Sequence, residues 1–300
     1  MNSKKTILSN FSASKPFLAT LSGLVAILMW SSLAVASNFV HRLPRFELLW
    51  LSFGVAFLIG TVILTIRGQL HNMVQPFVPW VIGFFGIFLF HLFYFIGIAL
   101  APPAKVTLIS YLWPMMLVVA SAFVERKQFR ITYLIGAIMG FGGTLLLMSG
   151  DVSIRGNSLI WWGYISAFIC AVTWTAYSIA NRRYTNIPSE MLVGVCGAIS
   201  IVTFLIHICV EKTVMPTFPE IAVICFLGIG PTGTAFLFWD YASKYANLSL
   251  LGSLSYLAPM LSTLWLVLGG MTLASWGLVA AVFLIVGGAA IATIPINRKT

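Results

Sequence analysis

The sequence is poor in charged residues. Asp, Glu, Lys and Arg make up 8% of its 300 residues, whereas a soluble protein carries about a quarter. By contrast, 60% of the residues are hydrophobic and the mean hydropathy is +0.99. A spanning helix needs about 20 apolar residues, so ten such helices would use about two thirds of the chain. These proportions exclude a soluble globular protein and predict a membrane protein with short loops.

Motifs for chemistry are also absent from the sequence. It contains no Walker-type phosphate loop, no nucleophile elbow, no metal-ligand cluster and no CxxC pair among its four cysteines. A membrane enzyme acting on lipids would need paired carboxylates or a His/Asp cluster at one interface, and we find neither. We therefore expect no enzyme activity, no cofactor and no transport driven by ATP.

Ten apolar runs divide the chain, and charged or turn-forming residues separate them. Each run is long enough to cross the hydrocarbon core as a helix. The predicted spans are residues 17–40, 46–66, 77–100, 106–124, 131–149, 158–181, 191–210, 221–242, 248–268 and 274–296. The sequence thus predicts an all-α polytopic membrane protein with ten transmembrane helices.

Lys and Arg residues collect at alternate ends of these spans. The termini and the even-numbered loops hold 12 of the 17, and the opposite side holds 5. The positive-inside rule therefore predicts that both termini are cytoplasmic. Because the net charge of +10 is thinly spread over helix ends, it is a topology signal and predicts no nucleic-acid partner.

The two halves of the sequence resemble each other at a shift of 144 or 145 residues. Ser-Tyr-Leu-Trp-Pro-Met at 110–115 recurs as Ser-Tyr-Leu-Ala-Pro-Met at 255–260, and Trp30 corresponds to Trp174. Because each half has five helices, an odd number, the second half must enter the membrane upside down. We predict two inverted five-helix repeats, residues 1–150 and 151–300, around a central cavity. This plan is typical of secondary transporters with a substrate site near the midplane.

Proline interrupts the fourth span at Pro114 and the ninth span at Pro259. Each ring removes a helical hydrogen bond and frees the carbonyl of Ser110 or Ser255. In hydrocarbon such a carbonyl needs another partner. Two interpretations remain open: a kink satisfied by neighbouring helices, or a broken helix whose carbonyls line a binding cavity.

Aromatic residues with polar atoms lie within the spans, where an interfacial belt does not account for them. His91 lies at the centre of a span, and it either packs in the core or lines a cavity, the role that ionisable groups favour inside membranes. Asp240 is the carboxylate well within a span, near the cytoplasmic end of the eighth. The predicted substrate site comprises Trp30, His91, Tyr94, Tyr111, Trp113, Pro114, Trp174, Trp239, Tyr256 and Pro259.

Other residues favour structural roles. Gly136 and Gly140 in the fifth span, and Gly287 and Gly288 in the tenth, are typical of close helix packing between halves or between protomers. His207 lies close to a span end, and we interpret it as a packing residue.

Together these residues resemble the drug/metabolite transporter superfamily of EamA type over nearly the whole chain. The resemblance rests on the paired five-helix halves, Ala-Leu-Ala-Pro at 99–102, Pro114 and Glu125. More narrowly, His-Leu-Phe-Tyr at 91–94 and Ser-Tyr-Leu-Trp-Pro at 110–114 are similar to the YddG-type exporters of aromatic amino acids. That group implies a tyrosine at position 90, where this chain has Phe90. The cavity residues implied by the resemblance are His91, Tyr94, Tyr111, Trp113 and Trp174, and less directly Trp30.

The resemblance implies a carrier of the bacterial inner membrane that exports amino acids, aromatic ones and related amphiphilic metabolites, by alternating access. The residues fit such a substrate, because a ring stacked on Trp113 or Tyr94 gains about 0.5–1.5 kcal/mol beyond its burial. The substrate ammonium can lie over an indole face or against a freed carbonyl. Tyr111, Trp174 and His91 can donate to its carboxylate.

Two alternatives stay open within transport. One is a broad-specificity metabolite or drug exporter with non-aromatic substrates, and the other is a passive channel. The expected partners are a small-molecule substrate, namely amino acids, and the lipid bilayer. We expect the chain to act as a monomer.

Overall fold

The fold is described from a computed structural model of the chain. The structure describes residues 2–124, 130–148, 159–271, 273 and 276–294. These residues form fourteen α-helices and no strand. The helices are α1 Asn2–Ser31, α2 Leu33–Phe39, α3 Arg45–Ile66, α4 Phe77–Leu100, α5 Pro103–Ser110, α6 Trp113–Val124, α7 Ile131–Met148, α8 Leu159–Asn181, α9 Met191–Val210, α10 Phe218–Ile229, α11 Ala235–Tyr245, α12 Leu248–Ser255, α13 Leu257–Leu268 and α14 Trp276–Thr293.

These helices account for the ten predicted spans. Among the described residues, nine segments are long and apolar enough to cross a membrane, and α7 contributes a shorter apolar helix. Four spans consist of two consecutive helices: α1 with α2, α5 with α6, α10 with α11, and α12 with α13. The predicted all-α polytopic fold is therefore confirmed. Glu125 and the predicted repeat boundary at residue 150 lie outside the described residues.

The fourth and ninth spans are broken at the repeated Ser-Tyr motif. Helix α5 ends at Ser110 and α12 ends at Ser255, and the next helix begins two or three residues later. The hydrogen bond that Pro114 or Pro259 cannot make is the one to that last serine of the preceding helix. The break therefore lies one turn before each proline, at Tyr111 and Tyr256.

Five helices of the first half pack most extensively on a helix of the second half. The pairs are α1 with α11, α3 with α9, α4 with α8, α6 with α12, and α7 with α14. Gly97, late in α4, lies against Gly163, early in α8, so this pair is antiparallel. If each span is replaced by the equivalent span of the other half, the same five pairs result. A two-fold symmetry relation between the halves produces this pattern. The two five-helix halves are thus inverted relative to each other.

Glycines let the antiparallel helices α7 and α14 approach closely. A Cβ atom added at Gly136 would lie 2.5 Å from the carbonyl oxygen of Gly288, and one at Gly288 would lie 2.7 Å from that of Gly136. A Cβ atom at Gly140 would lie 2.6 Å from the Tyr256 ring. The predicted close packing is therefore confirmed for these glycines, and it joins the two halves.

We expect Gly136→Ala to destabilise the protein, because the added methyl group overlaps the Gly288 carbonyl, and overpacking costs about 1–3 kcal/mol. Gly142→Ala is the matched control, since nothing lies within 4 Å of an added Cβ there. Replacing glycine by alanine raises the helix propensity in both variants, so this effect cancels when their Tm values are compared. Thermal unfolding in detergent should give a lower Tm for Gly136→Ala, and equal Tm values would contradict this packing.

Candidate functional site

Four tryptophans from four different spans meet inside the bundle. Trp30 ends α1, Trp113 begins α6, and Trp174 and Trp239 lie on α8 and α11. Trp239 has its ring centroid 5.3 Å from that of Trp30, 5.4 Å from Trp113 and 6.0 Å from Trp174. Trp174 lies 5.5 Å from Trp30 and 6.2 Å from Trp113. We call these four residues the tryptophan cluster, and the sequence predicted each of its members as a site residue.

Two indole groups of this cluster are held by hydrogen bonds within the protein. Trp30 donates its Nε1–H to the carbonyl of Pro231 at 3.0 Å, in the π-helical turn Gly230–Thr234 that joins α10 to α11. Trp239 donates to Ser178 Oγ at 3.0 Å, and Ser178 donates in turn to the carbonyl of Trp174 at 2.9 Å. These bonds fix the two rings as walls and leave their N–H groups unavailable to a ligand.

Further rings enclose the cluster. Phe90 lies 5.3 Å from Trp174 between ring centroids, so this position adds a ring face without a hydroxyl group. Phe236 lies 5.8 Å from both Trp30 and Trp174, and Phe53 stacks on Phe236 at 5.9 Å. Sequence reasoning missed Phe53 and Phe236. They carry no polar atom, and nothing sets them apart among 23 phenylalanines.

His91 lies at the edge of these rings, half-buried on α4. Its ring centroid is 5.5 Å from that of Phe53 and 5.4 Å from that of Phe90. Nδ1 lies 2.8 Å from the carbonyl oxygen of Ile87. Because a carbonyl only accepts, Nδ1 carries the proton, and Nε2 of the neutral imidazole is an acceptor. In this geometry the neutral His91 ring offers a substrate an acceptor, whereas a donor to the substrate carboxylate was expected from the sequence.

Tyr94 lies one turn beyond His91 and is also an acceptor. Its hydroxyl is 2.9 Å from Thr107 Oγ1, and Thr107 donates to the carbonyl of Pro103 at 2.8 Å. Since Thr107 has one proton, Tyr94 must donate to it. The lone pairs of the Tyr94 oxygen remain for a ligand.

Three donors near the cluster are not engaged by the protein. Within the part of the chain that the structure describes, the Tyr111 hydroxyl and the indole N–H groups of Trp113 and Trp174 make no hydrogen bond to the protein. Tyr111 is half-buried at the break between α5 and α6. The region thus presents acceptors from α4 and donors from α6, α8 and the break.

The structure does not bring Pro114, Tyr256 and Pro259 into this region. Pro114 is buried where α6 crosses α12, and a Cβ atom at Gly252 would lie 2.7 Å from its carbonyl oxygen. Tyr256 is fully buried in a second core cluster, with its ring centroid 6.3 Å from that of Phe141. Pro259 is buried, and its carbonyl accepts a hydrogen bond from Thr263 at 2.9 Å. These three residues pack the helices.

A charged cluster joins the two halves at the end of the bundle where α3 begins and α9 ends. The Glu211 carboxylate accepts the backbone N–H groups of Phe46 and Glu47, both at 3.1 Å, at the positive N-terminus of α3. His207, 1% exposed, lies 2.9 Å from Glu211 through Nδ1 and 3.9 Å from the Glu47 carboxylate through Nε2. His207 is thus buried in a polar network, which sequence reasoning did not foresee because Glu47 is 160 positions away in the chain.

Arg42 and Glu220 form an ion pair near this cluster. Arg42 Nη2 and Nε lie 2.7 and 3.2 Å from the two Glu220 oxygens. The hydrogen bond to Glu220 raises the pKa of Arg42. Across the described ranges no group of three His, Cys, Asp or Glu side chains could hold a metal ion.

Two inverted halves of membrane-spanning helices around an aromatic centre are the architecture of a secondary transporter. The chain belongs to the EamA-like transporter family, whose model matches residues 17–149 and 161–294. The predicted membership of this family is therefore confirmed.

Two similar proteins and one solved structure extend this finding. The chain is 42% identical over 282 residues to the aromatic amino acid exporter YddG of Ancylobacter novellus, a match that covers 93% of this chain and 98% of that protein. It is 23% identical over 248 residues to the uncharacterized transporter YyaM of Bacillus subtilis, covering 78% and 80% of the two chains. A crystal structure of a protein 42% identical in sequence has a TM-score of 0.87 and covers 92% of this chain and 96% of that one.

We expect Ser178→Ala to destabilise the protein by about 1–3 kcal/mol, because it leaves the buried Trp239 N–H without an acceptor. In a Trp239→Phe background, Ser178→Ala should lower the free energy of unfolding by less, since the indole N–H donor is already absent. A double-mutant cycle on thermal unfolding in detergent measures the difference. Additive effects of the two substitutions would contradict the role given to this hydrogen bond.

Proposed function

We propose that this protein exports amino acids, aromatic ones and related amphiphilic metabolites, across the bacterial inner membrane by alternating access. The tryptophan cluster is the observation that carries the proposal. It lies where four spans of the two halves meet, and its ring neighbours are the apolar Phe53, Phe90 and Phe236 and the imidazole of His91. Unengaged donors and acceptors lie beside it. The 42% identity to an exporter named for aromatic amino acids supports the proposal.

Each part of an aromatic amino acid has a partner in this region. Its ring meets the edges and faces of Trp113 and Trp174, whose mutual geometry is edge-on at 77°. Its ammonium donates to His91 Nε2 and the Tyr94 oxygen. Its carboxylate accepts from Tyr111 and from the free indole N–H groups. Each of these hydrogen bonds is worth about 1.5–3 kcal/mol, because its substrate partner is charged. The protein adds no fixed charge of its own here, so we expect a modest affinity and a broad substrate range.

Transport by this route needs only a gradient of the substrate. No carboxylate lies in the tryptophan cluster to relay protons, and the proposal includes neither catalysis nor a cofactor. We propose that the functional unit is the monomer, because both inverted halves of the two-fold pair are supplied by one chain.

We propose, from the Lys and Arg asymmetry, that both termini lie in the cytoplasm. A green fluorescent protein fused after residue 300 should fluoresce, because it matures in the cytoplasm and fails to mature when exported unfolded to the outside. An alkaline phosphatase fused at the same position should be inactive. A dark fluorescent fusion with an active phosphatase would place the C-terminus outside.

We expect proteoliposomes that contain the protein to release tryptophan and phenylalanine with saturable kinetics. Trp113→Ala should lower this efflux about tenfold. The substitution removes one ring contact and one donor, which together are worth about 1.4 kcal/mol. Trp161→Ala is the matched control, because Trp161 is 70% exposed at the start of α8. Membrane insertion of both variants should be unchanged.

Threonine and an unrelated organic cation complete the substrate panel. Efflux of neither aromatic amino acid above empty vesicles would overturn the proposed function. Release of the cation alone would favour the broad-specificity exporter, and flux that rises linearly with concentration would favour a channel.

A further inference from the structure

A second polar cluster begins directly beside the tryptophan cluster, at Asp240, and extends one turn along α11. Lys244 Nζ lies 2.6 Å from Asp240 Oδ2, and each side chain is 1% exposed. Asn181 donates to Asp240 Oδ1 at 2.7 Å, and Ser189 donates to Oδ2 at 2.5 Å. Lys244 also donates to the carbonyl of Ile187 at 2.9 Å. Each of the two charged groups therefore has at least two hydrogen-bond partners, and both side chains are closed to solvent.

The inverted repeat does not require this ion pair. At the shift of 145 residues, Asp240 corresponds to Phe95 and Lys244 to Ala99, so the equivalent helix of the first half is built with neither charge. Apolar residues of similar volume often stabilise a protein as well as a buried ion pair does. Stability of the fold therefore gives no reason for charges at these two positions.

A cleft of about 790 Å³ at this end of the bundle reaches Lys244, and Asp240 lies directly behind that residue. Three groups of the polar cluster line it, namely Ile187, Ser189 and Lys244. Its walls combine apolar and aromatic side chains, such as Leu21 of α1 and Tyr241 of α11, with polar ones that include Asn186 and Glu190. Such a volume, with mostly apolar walls and a few convergent polar groups, is typical of a site for a small molecule.

The position of the cleft fits the loading side of an exporter. Lys15, at the N-terminal end of the first span, lies with Nζ 3.8 Å from the centre of the Tyr245 ring at the rim. The charge asymmetry predicts that this end faces the cytoplasm. An exported molecule would meet the cleft before the tryptophan cluster, because along α11 Lys244 lies nearer to the predicted cytoplasmic end than Trp239 does.

We infer that this cleft is a loading subsite for the zwitterionic head of an amino acid, an inference that rests on the proposed function. The substrate carboxylate binds Lys244 Nζ and the substrate ammonium binds the Asp240 carboxylate. The protein's own ion pair opens in this exchange, and all four charges remain paired. Because a buried charge that loses its partner is strongly destabilising, a matched exchange is the way to open the pair without that penalty.

The exchange selects for both charges of the substrate. An amine with the same ring would pair with Asp240 and leave Lys244 unpaired, and a carboxylic acid would do the reverse. The cleft thus selects the zwitterion, whereas the uncharged tryptophan cluster selects the ring. Because of this division, one carrier can accept amino acids with several different side chains. It rejects amines that lack the carboxylate and carboxylic acids that lack the ammonium group.

Uptake into inside-out membrane vesicles tests the inference, because these vesicles present the predicted cytoplasmic end to the medium. The substrates are tryptophan, tryptamine and indole-3-propionate, each measured above vesicles without the protein. D240N/K244M removes both charges without leaving one unpaired. We expect the KM for tryptophan to rise about tenfold, and the preference for tryptophan over the two analogues to fall about tenfold.

Leu21→Trp is a second variant, which fills the cleft without touching the ion pair. Leu21 is 41% exposed, so the larger ring is accommodated in the fold, and the KM should again rise about tenfold. The matched control is R42M/E220Q, which removes an ion pair of 2.7 Å at the opposite end and should keep the wild-type KM.

Several outcomes would overturn the inference. An unchanged KM in Leu21→Trp does so even where D240N/K244M does not fold. Faster uptake by D240N/K244M with wild-type selectivity would show that the ion pair restricts access to the cleft and does not bind the substrate. Wild-type vesicles that take up no tryptophan overturn the proposed function, and the inference falls with it. If wild-type vesicles take up tryptophan and the variants keep the wild-type KM and selectivity, the inference is overturned and the proposed function stands.

Discussion

Close approach of antiparallel helices from opposite halves is the constraint on which the rest of the structure depends. In lipid there is no hydrophobic force between helices, so association rests on tight contact and on hydrogen bonds between them. Gly136 and Gly288 supply such contact between α7 and α14, and Gly97 and Gly163 supply it between α4 and α8. Because the pairing joins the halves, whatever lies in the middle is shared between them. The tryptophan cluster occupies that shared middle.

Polar groups are distributed along the bundle by their charge. Carboxylates with polar partners lie towards the two ends, with Glu47 and Glu211 at one and Asp240 at the other. Between them, the region of His91 and Tyr111 offers only neutral donors and acceptors. Burying a charge destabilises the protein unless the charge is paired, whereas a neutral polar group can remain unpaired at the edge of a cavity. The protein thus keeps its charges satisfied internally and leaves the weaker, reversible bonds to the substrate.

Much of this arrangement follows from sequence pattern. Hydrophobic length predicts the spans, and Pro114 and Pro259 predict a kink or a break in the fourth and ninth. Indole groups in mid-span predict the four members of the tryptophan cluster as site residues. Sequence reasoning failed where a residue's neighbour decides its role. Tyr256 matches Tyr111 in the repeat yet packs on Gly140, because the two-fold relation holds for helices and not for each side chain. Likewise the proton position on His91 depends on its contact with Ile87, and the partners of Asp240 come from residues more than 50 positions away.

The pairing across halves has a consequence for biosynthesis. A ribosome makes the chain from its N-terminus, so α7 is inserted into the bilayer before α14 has been translated, with about 130 residues still to come. The same holds for the other cross-half pairs. The glycine-lined surfaces of the first five spans therefore remain without their cross-half partners until those partners emerge. Assembly of this carrier is completed only when the last span has left the translocon.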